Sequence, residues 1–120
     1  MTDVLVVDDE PDITLICKLA LSLAGFSVEE RHCGNDALDY LATNSPDVVL
    51  LDLRLPDLSG WDVVDRLRES GRLADLSIVV FSAHASAGKA AAEAGCAGFL
   101  SKPFTPDELV AAVRAAAGKG

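Results

Sequence analysis

Basic residues are scarce in this chain: ten lysines and arginines face nineteen aspartates and glutamates, a formal charge of −9 at neutral pH. That balance argues against a partner held through a phosphate backbone, which needs clustered cations, so no direct contact with nucleic acid is expected. Cysteines number three and lie far apart, at Cys17, Cys33 and Cys96, which fits neither a disulfide framework nor a zinc site. They are expected to be buried small apolar residues. The two histidines, His32 and His84, have no second ligand at metal spacing. No apolar run approaches the about 20 residues of a membrane span, and Met1-Thr2-Asp3 lacks the features of a signal peptide. A cytoplasmic protein without membrane contact is expected. Disorder is excluded, since 50% of the 120 residues are hydrophobic. One domain over residues 1–120 could bury roughly two-thirds of its unfolded surface.

What is present is an alternation. Val4-Leu5-Val6-Val7, Phe26 to Glu30, Val48-Val49-Leu50-Leu51, Ser77 to Phe81 and Ala97 to Leu100 read as strands. Between them run helical spacings. The first starts at Pro11, carries Ile13, Ile16, Cys17, Ala20, Leu23 and Ala24, and closes at Gly25. The second opens at Gly34-Asn35-Asp36, carries Ala37, Leu38, Leu41 and Ala42, and runs out near Asn44. The third, from Gly60 to about Ser70, carries Trp61, Val64, Leu67 and the stem of Arg68. The fourth, Ala85 to Ala94, is mostly alanine and offers little area to bury, so it should be among the loosest elements. The last is capped by Thr105 and carries Leu109, Val110 and Val113. Strand and helix in alternation imply a parallel sheet covered on both faces, a three-layer α/β domain.

Polar residues that interrupt the apolar runs all follow strands. Asp8 and Asp9 end the first, Asp52 the third, Ser82 the fourth and Lys102 the fifth. In a parallel sheet these groups share one crevice, where open α/β sheets bind ligands. Two carboxylates about 4 Å apart repel by about 4 kcal/mol at an effective dielectric near 20. A hard divalent cation with oxygen ligands, Mg²⁺ above all, would remove that penalty and bridge a phosphoryl oxygen. Lys102 would supply an opposing charge and Ser82 a hydroxyl donor, leaving one carboxylate oxygen as nucleophile with no further base required.

The chain resembles the receiver domain of two-component response regulators from end to end. The resemblance is carried by Val6-Val7-Asp8-Asp9-Glu10-Pro11, Leu50-Leu51-Asp52-Leu53-Arg54-Leu55-Pro56-Asp57-Leu58-Ser59-Gly60, Phe81-Ser82-Ala83 and Gly98-Phe99-Leu100-Ser101-Lys102-Pro103-Phe104. It implies a flavodoxin-like five-stranded sheet of order 2-1-3-4-5. It further implies a phosphoacceptor signalling domain rather than an enzyme acting on other substrates. A sensor histidine kinase or phosphotransfer protein would pass a phosphoryl group to Asp52. Asp9, Asp52 and the Arg54 carbonyl would bind Mg²⁺ directly and Asp8 through water, while Ser82 and Lys102 would contact the phosphoryl oxygens. The Lys102-Pro103 bond is expected to be cis. Ser82 and Phe99 would form the switch that reshapes the face of the fourth helix, fifth strand and fifth helix for a downstream protein or a phosphorylation-dependent homodimer. Arg54 and His84 occupy places that tune the lifetime of the acyl phosphate in similar domains. Phe99 stands where many relatives have Tyr, which removes one hydrogen bond from the buried state and leaves packing to carry the switch.

Other readings exist. An aspartate-nucleophile phosphatase would place an Asp-x-Asp pair after the first strand and carry a substrate cap, and neither is present in Asp8-Asp9-Glu10 or in 120 residues. A flavin carrier would need a hydroxyl- and glycine-rich phosphate loop where this chain is acidic. A receiver-like module that no longer accepts phosphate is the remaining alternative.

Overall fold

The computed structural model describes residues 2–84 and 86–118. Five strands, β1 (Asp3–Val7), β2 (Ser27–Arg31), β3 (Val48–Asp52), β4 (Ile78–Ser82) and β5 (Gly98–Ser101), alternate with five helices. The helices are α1 (Pro11–Leu23), α2 (Gly34–Thr43), α3 (Gly60–Glu69), α4 (Ala87–Glu93) and α5 (Pro106–Ala117). All strand pairs are parallel, as the alternation implies, and the order is β2-β1-β3-β4-β5, as the resemblance implies. A short 3-10 turn, Leu73–Asp75, which no spacing in the sequence marks, precedes β4. Ala85, where the sequence pattern starts the fourth helix, lies outside the described residues, as do Met1 and the Lys119-Gly120 end.

The alternation of side chains along the strands builds the layers. Leu5, Val7, Val49, Leu51, Ile78 and Val80 pack under α2, α3 and α4, against Ala37, Leu41, Val63, Val64, Leu67 and Ala91. Val4, Val6, Val48, Leu50, Val79 and Phe81 point the other way, against Cys17, Leu21, Leu109, Val113 and Ala116 of α1 and α5. Central β3 and β4 are buried at every position, which is why their sequences are continuous apolar runs, whereas polar β2 lies at an edge.

Two sequence expectations need correction. The buried face of α1 is Thr14, Cys17 and Leu21, while Ile16 is 48% and Leu23 90% exposed. Cys17 is buried and Ile13 and Ala20 pack against the core as expected, but apolar residues recur around so much of this helix that spacing alone also draws in Ile16 and Leu23, and Thr14 can face inward because its hydroxyl donates to the Pro11 carbonyl at 3.0 Å. Of the cysteines, Cys17 is buried but Cys33 and Cys96 are only half-buried. Burial of Cys17 pushes its thiol up to about 12, so it is an inert core residue.

The loop after β3 is tied down by a cap that crosses the chain. Asp57 accepts the backbone N–H groups of Gly34 at 2.7 Å and Asn35 at 2.8 Å, the first turn of α2, and that of Leu58 at 2.8 Å. The Cys33 side chain at the N-cap position makes no such bond, so Asp57 replaces it. The bond from Asn35, with those from Gly34 and Leu58, lowers the Asp57 carboxyl to about 2 against an ordinary 3.8. A carboxyl depressed on folding adds stability above its unfolded value and loses it as pH falls through the folded one. Asp57→Ala is therefore expected to melt at a lower temperature at pH 7, with the gap to the parent protein closing as the pH is taken from 3.8 to about 2 in thermal unfolding scans.

Candidate functional site

Register places the polar residues. Val7 pairs with Leu51, Asp52 with Phe81, and Ser82 with Ser101, so Asp8, Asp52, Ser82 and Lys102 all emerge at the carboxyl edge of the sheet. Asp9, Glu10, Asp52, Arg54, Ser82, Ala83, His84 and Lys102 line a cleft of about 290 Å³ there.

At its floor, Asp8 is fully buried, Asp52 is 4% exposed and Ser82 6%. One ammonium serves both acids: Lys102 Nζ lies 3.1 Å from Asp8 Oδ2 and 3.4 Å from Asp52 Oδ2. The same nitrogen sits 4.8 Å from the centre of the Phe81 ring, which adds a cation-π contact beneath it. Burial pushes the Asp8 carboxyl up, with the bond from the Glu10 N–H (2.9 Å) and that from Lys102 working against it and the charge of Asp52 adding to it. Burial also works against the charge of Lys102, but the bonds to Asp8 and Asp52 and their fields outweigh it and hold the ammonium above its ordinary value. The Lys102-Pro103 bond is cis, as the resemblance implied.

Backbone geometry fixes Asp52 in turn. The Arg54 N–H donates to its Oδ1 at 3.2 Å, and the Gly60 N–H donates to the Leu53 carbonyl at 3.0 Å, folding the start of α3 back over the end of β3. A Cβ on Gly60 would stand 2.6 Å from the Asp52 carbonyl oxygen and 2.9 Å from Leu53 Cα, so only glycine permits the approach. Ser59 then caps α3 through a reciprocal pair with Asp62 at 3.1 Å each way. Across the mouth, Arg54 Nη2 lies 3.4 Å from His84 Nε2; a guanidinium only donates, so the bond requires that nitrogen to be unprotonated. Ser82 Oγ accepts the His84 N–H at 3.1 Å. Phe99 is half-buried against the α4 side of the core, away from the cleft lining.

Asp8, Asp9 and Glu10 place carboxylate oxygens within 4.8 Å of one another. All-oxygen donors around a floor where two buried acids share one ammonium are what a hard cation favours. Glu10 is a member of the trio that the sequence reading omits from its candidate ligands, and its place directly after Asp8 and Asp9 is the signal for it.

An open parallel sheet thus gathers a nearly buried carboxylate, a hydroxyl, a lysine and an acidic trio at one edge. The family model of the response regulator receiver domain matches residues 4–114, and the chain belongs to that family. Response regulator MprA of Mycobacterium avium (strain 104) is 40% identical over 114 residues, covering 93% of this chain and 49% of that protein. Its counterpart in Mycobacterium sp. (strain KMS) is 41% identical with the same coverage, so the chain spans about half the length of these relatives. Among solved structures, chemotaxis response regulator CheY4 of Vibrio cholerae superposes with TM-score 0.89 at 26% identity, covering 97% of this chain and 98% of that one. A response regulator described as putative, from Chloroflexus aurantiacus, superposes with TM-score 0.89 at 32% identity, covering 98% of each chain. No described helix is long and apolar enough to cross a membrane.

Removing Lys102 would leave Asp8 and Asp52 buried without their shared counter-charge. Lys102→Ala, studied with divalent cations chelated, is expected to lose about 3 kcal/mol of stability in denaturant unfolding. The Asp8 carboxyl, raised on folding, contributes stability that is present below its unfolded value and lost as pH rises through the folded one. The deficit should therefore shrink as the pH is lowered from 7 toward about 4.

Proposed function

We propose that this domain accepts a phosphoryl group on Asp52 from the phosphohistidine of a sensor histidine kinase or phosphotransfer protein, and that the modified domain controls a downstream protein. The observation that carries the reading is the pairing of a nearly buried Asp52 with Lys102 beside an acidic trio, in a receiver-family chain. In transfer, an Asp52 carboxylate oxygen attacks phosphorus as the bond to the histidine nitrogen breaks, and the nitrogen keeps the electron pair. Lys102 passes from Asp52 to a phosphoryl oxygen, and the Ser82 hydroxyl leaves the His84 N–H to donate to another. Asp9, Asp52 and the Arg54 carbonyl, with Asp8 through water, would hold Mg²⁺, whose charge would offset that of the transferring group. Movement of Ser82 and Phe99 would reshape the α4-β5-α5 face for the downstream partner, or for a second phosphorylated copy.

Incubation with acetyl phosphate and Mg²⁺ followed by intact-mass measurement tests this. One added phosphoryl group, lost in Asp52→Ala and in a chelated sample, supports it; no addition from acetyl phosphate or from a cognate kinase favours the phosphate-independent interaction module. Arg54 and His84 close over the mouth of the cleft and would shield the acyl phosphate from water. Arg54→Ala should shorten its half-life by about threefold to tenfold, equivalent to about 1 kcal/mol of barrier, and an unchanged decay rate would remove Arg54 from the mechanism.

A further inference from the structure

Helix α4 has little of its own to hold it in place. Its seven residues bury only Ala87 and Ala91, the Ser86 side chain makes no capping bond, and its last turn holds no basic residue. Glu93 in that turn has the sign that the helix dipole disfavours at a C-terminus. Its own C-terminal turn closes the carbonyls of Ala90, Ala91 and Ala92, which accept from the N–H groups of Ala94, Cys96 and Gly95, but ties the helix to no neighbouring helix. Arg68 of α3 provides that tie: Nη2 donates to the Ala94 carbonyl at 2.8 Å while Nη1 holds Asp65 at 2.9 Å, which orients the guanidinium fork. The bridge crosses a groove of about 660 Å³ between α3 and α4 that also contains Trp61.

The other end of α4 is wired to the cleft. Ser82 Oγ accepts the His84 N–H at 3.1 Å, and the His84 carbonyl accepts the Ala87 N–H at 3.1 Å, so the hydroxyl beside Asp52 is two bonds from the first residue of the helix. Between the two ends the Phe99 ring presses on Gly88, where a Cβ would lie 3.2 Å from Cδ2. A serine hydroxyl drawn to a phosphoryl oxygen releases the first anchor. What then keeps α4 in place is the packing of a few alanines and the bond from Arg68.

Resting on the phosphoacceptor reading of Asp52, we propose that Arg68 is a positioning residue that latches α4 in its unphosphorylated seat through the Ala94 carbonyl. Breaking that bond is part of the work opposed to phosphorylation. Acceptance draws on the unlatched population, so loosening the latch raises that population and with it the rate of phosphoryl acceptance at Asp52, although Arg68 does not line the cleft. A side chain that only supports the fold would not have that effect; its loss would leave acceptance unchanged or slow it.

The test uses the full chain as Arg68→Ala, Arg68→Lys and Asp65→Ala, with amide hydrogen exchange over residues 88–94 and the rate of acetyl phosphate labelling as readouts. Arg68→Ala is expected to speed both, labelling by about fivefold, at the low end of usual coupling strengths. Arg68→Lys, which keeps a donor within reach of the carbonyl, should return most of the way to the parent protein. Asp65→Ala, which only frees the fork, should fall between. Unchanged exchange over 88–94 in Arg68→Ala, or labelling that is unchanged or slower, overturns the latch. If the parent protein takes no phosphoryl group the reading of Asp52 fails by itself, and the exchange data still decide whether Arg68 holds α4.

Discussion

The ammonium of Lys102 between two buried carboxylates is the interaction on which the functional half of this molecule depends. Asp8 is fully buried and Asp52 nearly so, and one charge 3.1 and 3.4 Å away must serve both. Net negative charge survives in the cleft, because Asp9 and Glu10 add to it at the rim. A site with that imbalance favours a cation on electrostatic grounds, and on the proposed function its lysine would pass to an incoming phosphoryl group. The sheet exists, in functional terms, to keep these groups at one edge: parallel register brings the ends of β1, β3, β4 and β5 together, and two apolar layers keep the strands from shifting.

Rigidity and looseness are distributed unevenly around that edge. The β3-α3 loop is pinned by Asp57 across to α2, by Gly60 under Asp52, and by the Ser59–Asp62 cap. Helix α5 has a matching Thr105–Glu108 cap. Helix α4 has no capping box and rests on small side chains. The Asp52 side is thus held still while the element that follows Ser82 is cheap to move, the arrangement a two-state switch would require. Phe99 enters as packing alone, seated on a glycine, without the hydroxyl that a tyrosine would bring.

Strand identities were legible because burial on both faces forces long apolar runs, as in Val48–Leu51, and because the polar residue ending each run marks the carboxyl edge. Asp8, Asp9, Asp52, Ser82 and Lys102 could be singled out for that reason. Ile16 and Leu23 on α1 show where the signal fails: with Leu15, Ile16, Leu19 and Leu23 all apolar yet exposed, hydrophobic spacing no longer marks the inside. The bonds from Gly34 and Asn35 to Asp57 span 23 and 22 positions, and the bond from Arg68 to Ala94 spans 26. No local pattern encodes such pairings. They exist only once the sheet has set the helices side by side.

The most direct test of the shared-lysine account is a Mg²⁺ titration of the full chain followed by amide and Lys102 ammonium nitrogen NMR. If Lys102 balances Asp8 and Asp52, the signals of residues 8–10, 52–54 and the Lys102 ammonium move together and saturate as one site. Shifts confined to residues 8–10, with the Lys102 ammonium unmoved, would mean that the acidic trio acts apart from Asp52 and would contradict the account.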